Sequence, residues 1–143
     1  MQSNSTTSRE HAVNTVWLAV KEFHAAFDLP LATETRLLAS DRLRVRSTWM
    51  REELNELEAA ASIAEQADAL VDLLYLLVGT LVEMGLAPGK VFELVHDANM
   101  RKRWPDGIGR TDDKGKVLKP PGWIPPDPAI DAYVQEVSLE RRS

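Results

Sequence analysis

The most apolar window of the chain, Ala69 to Val82, lies inside "DALVDLLYLLVGTLVEM", follows Asp68 directly and carries Asp72 within it. It is shorter than the roughly 20 residues a membrane span needs, and Asp72 interrupts it, so it reads as a buried helix of a water-soluble domain. From Leu70 to Met84 apolar residues fall nearly all around a helical wheel, which makes this the central helix, and Gly85 supplies its C-terminal stop. Helical periodicity is strong up to about residue 103 and strand signals are weak, so the fold class is all-α.

The pattern predicts a four-helix bundle core followed by a proline-rich tail. The first helix runs from about Arg9 to Phe27, with Val13, Val16, Trp17, Val20, Phe23 and Phe27 as its core stripe, and "DLP" ends it. The second runs from about Thr33 to Ala60, with a seam of Leu43, Met50, Leu54 and Leu57. The third follows Ser62, which with Glu65 three residues on makes a capping box. The fourth runs from about Pro88 to Arg103 and turns Val91, Phe92, Leu94 and Val95 to the core. Five of the eight prolines, at 120, 121, 125, 126 and 128, mark an extended segment, and a short last helix is expected from Ala129 to Arg141.

At 143 residues and 44% hydrophobic, the chain suits one domain, residues 1–143, with a single core; residues 1–8 are expected to fray and 104–143 to form a tail, lid or docking segment. The net charge of -5 argues against nucleic-acid polymers and membrane surfaces as partners, since both favour a positive field. There is no cysteine, and the polar start lacks the apolar stretch of a secretory signal, so a cytoplasmic location is expected.

Four glutamates fall within "REELNELEA". If the second and third helices form a hairpin turning near residue 62, a rise of about 1.5 Å per residue sets Glu56 level with Asp68, and Glu52 and Glu53 level with Asp72. Spacings of three and four keep these side chains on one face. Five uncompensated anions repel and resist desolvation, so the patch calls for cations. All-oxygen ligands favour Mg²⁺, or Mn²⁺ as a substitute, over zinc. The competing reading is a solvated acidic face paired with Arg44, Arg46 and Arg51, which fits the glutamates better than it fits Asp72, set among leucines. Seven of the 17 Lys and Arg residues lie between Arg101 and Lys119, a basic segment suited to a polyphosphate or to compensation of a helix dipole.

Taken together, "EELNE", "DALVDLLYLLVGTLVEMGL", "VFELVHDANMRKRW" and "DDKGKVLKPPGW" resemble the MazG-like all-α nucleoside triphosphate pyrophosphohydrolases, in the branch of dimeric dUTPase-related and phosphoribosyl-ATP pyrophosphohydrolase-like proteins. The resemblance spans roughly residues 9 to 125. It implies a homodimer, or a tetramer, and Mg²⁺-dependent hydrolysis of a nucleoside triphosphate to monophosphate and pyrophosphate, with dUTP a candidate substrate. The first carboxylate motif falls on Glu53 and Glu56, with Glu52 beside it. The second places its aspartate at Asp72, but its glutamate position is Ala69, and Asp68 is expected to substitute. The phosphate-binding residues fall on Asn99, Lys102 and Lys119. The implied mechanism has Glu52, Glu53, Glu56, Asp68 and Asp72 holding metal, with Glu52 or Glu53 orienting the attacking water.

Other readings stay in view. Phosphoribosyl-ATP has the same triphosphate chemistry on a larger base, and a catalytically silent helical nucleotide-binding or interaction module would keep the carboxylates as a surface face. Trp49 is placed to stack on a nucleobase or, the favoured reading, to fill the core. Tyr75 either reaches the site or packs, and Trp123 either closes a lid or, preferably, docks on a partner subunit. Di-iron bundles need two Glu-x-x-His pairs, and Glu93 with His96 is the single one here, so His96 reads as structural.

Overall fold

The computed structural model describes residues 7–140. Five helices follow in order: α1 (Ser8–Ala26), α2 (Ser40–Ala59), α3 (Ile63–Met84), α4 (Gly89–Met100) and α5 (Asp127–Glu140). The all-α expectation holds. Helices α2 and α3 pack as a hairpin, α1 lies against α3 and α4, and α5 rests on α4 alone. No single helix among the described residues is long and apolar enough to cross a membrane. The expected frayed start falls mainly on residues 1–6, outside the described set; Ser8 already belongs to α1, whose first turn is capped by the Thr7 hydroxyl accepting from the Glu10 amide.

The second helix starts seven residues later than its periodicity suggests. Residues 33–39 instead run alongside the end of α3: the Ala32 amide donates to the Val82 carbonyl at 3.4 Å, the Arg36 amide to Met84 at 2.9 Å and the Thr35 hydroxyl to Gly85 at 3.1 Å. The last carbonyls of a helix have no partner within it, so tertiary hydrogen bonds to this strap outweigh local helix propensity. Gly85 is required at the junction. Its φ is +67°, and a Cβ there would meet the Glu34 carbonyl oxygen at 2.6 Å.

At the start of α3 the Ser62 hydroxyl accepts from the Glu65 amide, as expected of a capping box, while the Glu65 carboxylate accepts from the Ala61 amide, one residue before the cap. Helix α4 is shorter than expected. It begins after Pro88, where the Gly89 amide donates to the Asn14 side chain of α1, and ends at Met100, leaving Lys102 and Arg103 in a turn. Residues 110–118 make a small loop closed by the Thr111–Val117 bridge; residues 119–126, in the proline-rich stretch, form neither helix nor strand, and α5 starts at Asp127, two residues earlier than expected, while its expected end at Arg141 lies outside the described residues. Pro128 lies in the first turn of α5, where a missing amide hydrogen costs nothing.

The buried core is small: Trp17 and Val20 of α1 meet Val78 and Val82 of α3. Much of the expected core is instead exposed, including Val16 and Phe27 on α1, Leu43 and Leu54 on α2, and Phe92 on α4. Helix α3 is central over only its C-terminal half. Toward its N-terminus Leu70, Val71, Leu74 and Leu77 are 46–58% exposed, because α1 pairs with the far half, where His24 approaches Gly79.

Polar side chains fill what apolar ones do not. Glu83, 1% exposed, accepts from Arg42 Nε and Nη2 at 2.8 and 2.7 Å and from Arg46 Nη1 at 2.8 Å; Arg46 also donates to Thr80 and to the Leu76 carbonyl. Gly79 makes room for this. A Cβ there would lie 2.6 Å from Arg46 Nη2 and 2.9 Å from His24 Nε2. The competing reading of a solvated acidic face would pair Arg46 with the patch; Arg46 is buried instead, where Glu83, set in an apolar helix, takes it as a cation partner.

Candidate functional site

The α2–α3 hairpin brings the predicted carboxylates together. Glu53 is half-buried, and burial pushes its carboxyl above the ordinary value of 4.5, helped by the negative charges of Glu56, Asp72, Asp68 and Glu52. All five therefore share one electrostatic neighbourhood, and among the described residues no cation offsets it. Glu53 Oε2 is buried without a hydrogen-bond partner, the kind of orphan that calls for an explanation. Glu52, Glu56, Asp68 and Asp72 are exposed around it.

Next to them, Glu56, Ala59, Ala60, Glu65 and Asp68 line an open cleft of about 230 Å³. Glu65, which the capping pattern explains, thus adds a further carboxylate to the rim. Among the described residues no three His, Asp or Glu side chains converge as a finished metal centre would require. Like charges on two facing helices spread apart when nothing neutralises them. The donor set is nonetheless suited to a hard divalent cation: oxygen only, several negative charges, and one buried oxygen with no partner. Ala69, at the position where the resemblance expects a glutamate, is 3% exposed, so a longer acidic side chain would be forced inward; Asp68 beside it is exposed and within electrostatic reach of Glu53.

The predicted phosphate-binding residues stand elsewhere. Asn99 ends α4 and Lys102 follows it, its Nζ donating to Asn99 Oδ1 at 2.7 Å, while Lys119 lies in the tail. Helix α4 packs on α1 and α5 and on neither helix of the carboxylate hairpin. Trp123 joins the basic half: Lys102 Nζ and Lys119 Nζ lie 5.3 and 4.8 Å from its ring centroid, and its Nε1 donates to the Ala98 carbonyl at 2.7 Å. It docks on its own chain's α4. Arg101, Arg103, Trp123 and prolines 105, 120 and 121 surround an open cavity of about 300 Å³ here.

The remaining candidates resolve into packing. Trp49 is not in the core; it is 36% exposed, with the Arg42 and Arg46 guanidiniums 5.2 and 5.5 Å from its ring centroid. Tyr75 meets Phe23 edge-on at 5.4 Å. His24 is buried and its Nδ1 donates to the Pro30 carbonyl, and His96 stacks on Phe92. Glu93 is held by the Thr7 hydroxyl and by Arg9. The buried Arg42–Glu83–Arg46 group was missed from sequence, although Glu83 is as anomalous in its apolar helix as Asp72.

Comparison with known proteins bears on the same residues. The phosphoribosyl-ATP pyrophosphohydrolase family matches residues 20–99, which include the whole carboxylate hairpin and Asn99 but neither lysine. A crystal structure from Exiguobacterium sp. 255-15, described as a "putative NTP pyrophosphohydrolase", is 30% identical, with 90% of this chain and 98% of that one covered, at a TM-score of 0.49. No curated protein matches. With more than half of its length matched, the chain belongs to the phosphoribosyl-ATP pyrophosphohydrolase family of the MazG-like superfamily, and it is a pyrophosphohydrolase.

Proposed function

We propose that the α2–α3 hairpin binds Mg²⁺, with Mn²⁺ as a substitute, through Glu52, Glu53, Glu56, Asp68 and Asp72, and that the protein hydrolyses a nucleoside or deoxynucleoside triphosphate to monophosphate and pyrophosphate. The observation that carries this reading is the buried, unpartnered Oε2 of Glu53 at the centre of four further carboxylates. A bound divalent cation supplies charge neutralisation at phosphate oxygens and acidifies water. Glu52 or Glu53 orients the attacking water and takes its proton as the oxygen bonds to the α-phosphorus and the bridge to the β-phosphorus breaks. Asn99, Lys102 and Lys119 hold the phosphates, offsetting the charge on the departing pyrophosphate.

In this reading α4, which packs on neither helix of the hairpin, supplies its phosphate-binding residues to a second copy of the chain, and the exposed Leu70, Val71, Leu74 and Leu77 offer an apolar face for a homodimer. Sedimentation equilibrium should give a dimer or tetramer for the native chain and a shift to monomer for Leu74→Asp; a native monomer at micromolar concentration would refute this assembly.

The role is clearance or balancing of the nucleotide pool, with dUTP one candidate. A second reading, favoured by the family match, is phosphoribosyl-ATP as substrate. The test is incubation with a panel of ribo- and deoxyribonucleoside triphosphates, including dUTP, and with phosphoribosyl-ATP, each with and without Mg²⁺, with products resolved by anion exchange. Monophosphate plus pyrophosphate formed only with metal supports the reaction and ranks the substrates. Diphosphate plus phosphate places attack at another phosphorus, and no product from any substrate leaves the silent binding module.

A further inference from the structure

Trp123 holds an unusual position for a residue in a proline-rich segment. Its indole nitrogen donates to the Ala98 carbonyl, one of the last-turn oxygens of α4 that the helix itself leaves free. That bond fixes the ring beside the helix end. The ring then draws in two ammonium groups from earlier in the chain, Lys102 just after α4 and Lys119 four residues before the tryptophan. Two like charges on one ring repel each other, and attraction to the ring face offsets that repulsion only modestly at an exposed site. Lys102 spends one donor on Asn99, and no described side-chain hydrogen bond occupies Lys119. Asp106 and Asp112 of the neighbouring loop are engaged by Arg110 and by loop amides, and no described salt bridge involves Lys102 or Lys119.

We propose that Trp123 is a positioning residue that sets the spacing and direction of Lys102 and Lys119 so that together they receive a polyphosphate. The proposal rests on the assignment of these lysines to phosphate binding and deepens it. Preorganising two flexible cations on a rigid ring removes the cost of ordering each lysine when the anion arrives. Purely structural capping of α4 would need the indole N–H alone; the pairing of two lysines across the ring goes beyond it.

Inorganic tripolyphosphate is the probe, titrated calorimetrically into the full chain, alongside steady-state kinetics on whichever substrate the panel identifies. Trp123→Phe keeps the ring and loses the indole donor; Trp123→Leu and Trp123→Met lose the ring, and the methionine variant guards against loss of packing. In the native chain the ε-methylene protons of Lys102 and Lys119 should be shifted upfield by the ring. The leucine and methionine variants should lose that shift, weaken tripolyphosphate binding about tenfold and raise KM to match, with kcat moving less. The phenylalanine variant should lose less than threefold. In a Lys102→Ala/Lys119→Ala background, Trp123→Leu should add nothing. An equal loss in that background, or no upfield shift in the native chain, would overturn the positioning role. If the double lysine variant itself binds tripolyphosphate as the native chain does, the phosphate assignment falls, a separate result that removes the proposal with it.

Discussion

The two ends of the α2–α3 hairpin treat negative charge in opposite ways. At the C-terminal end of α3 Glu83 is deeply buried, yet the Arg42 hydrogen bonds and the charges of Arg46, Arg42 and His24 outweigh the cost of burial and hold its carboxyl below the ordinary value of 4.5. At the end near the turn Glu53 of α2 has no cation partner among the described residues, and burial and four neighbouring carboxylates hold it above that value. The first arrangement satisfies every charge internally and serves the fold. The second leaves charge unsatisfied, which disfavours the isolated protein and suits it to something positive from outside. One hairpin thus carries both kinds of carboxylate, Glu83 on α3 facing the arginines of α2 and Glu53 on α2 facing the aspartates of α3, and the residues on the facing helix decide which is which.

The sharpest way to break this contrast is to remove Glu83. Glu83→Ala leaves Arg46 buried without its anion and should destabilise the protein by about 3–5 kcal/mol, read from the urea midpoint. A loss below 1 kcal/mol would show that the network contributes little. At the other end Glu53→Gln should act in the opposite direction, raising the midpoint of the metal-free protein near pH 7 while abolishing turnover. Mg²⁺ at about 100 times its Kd should stabilise the native chain by about 2.7 kcal/mol and leave the variant nearly unmoved; an equal response in both would separate Glu53 from the metal.

The pH dependence of the metal-free protein separates the two ends with smaller effects. A carboxyl held low in the folded state contributes stability that is complete above the unfolded value and is lost as pH falls through the folded one, so the Glu83 limb lies below pH 4.5. A carboxyl held high favours the folded state while protonated, so the Glu53 limb is a loss of stability as pH rises from 4.5 through its raised folded value. Glu53→Gln should flatten the upper limb only, and flattening of both in thermal melts across pH 3–8 would mean that the two groups are coupled.

Local pattern was enough for the helices and the hairpin. Ser62, Gly85 and the three-and-four spacing of Glu52, Glu53, Glu56, Asp68 and Asp72 act within a few residues or across one turn, and such short-range rules read directly from sequence. Apolar periodicity also named the core stripe of α1 around Trp17 and Val20. It misjudged how much of each stripe a single chain buries. Val16, Phe27, Leu54 and Leu74 have the right chemistry for a core, but burial requires a partner surface, and periodicity cannot say whether that surface belongs to the same chain.

What the sequence by itself determined is therefore the all-α class, the carboxylate hairpin and the basic character of the segment after α4. Tertiary structure alone decided that residues 33–39 cap α3 instead of extending α2, that Glu83 takes Arg42 and Arg46, that Trp123 gathers Lys102 and Lys119, and that α4 packs away from the carboxylate hairpin. The physical reason is the range of the interactions. Helix periodicity and capping are satisfied within a few residues, whereas free helix-end carbonyls and buried charges choose among all partners that folding brings near, however distant in the chain.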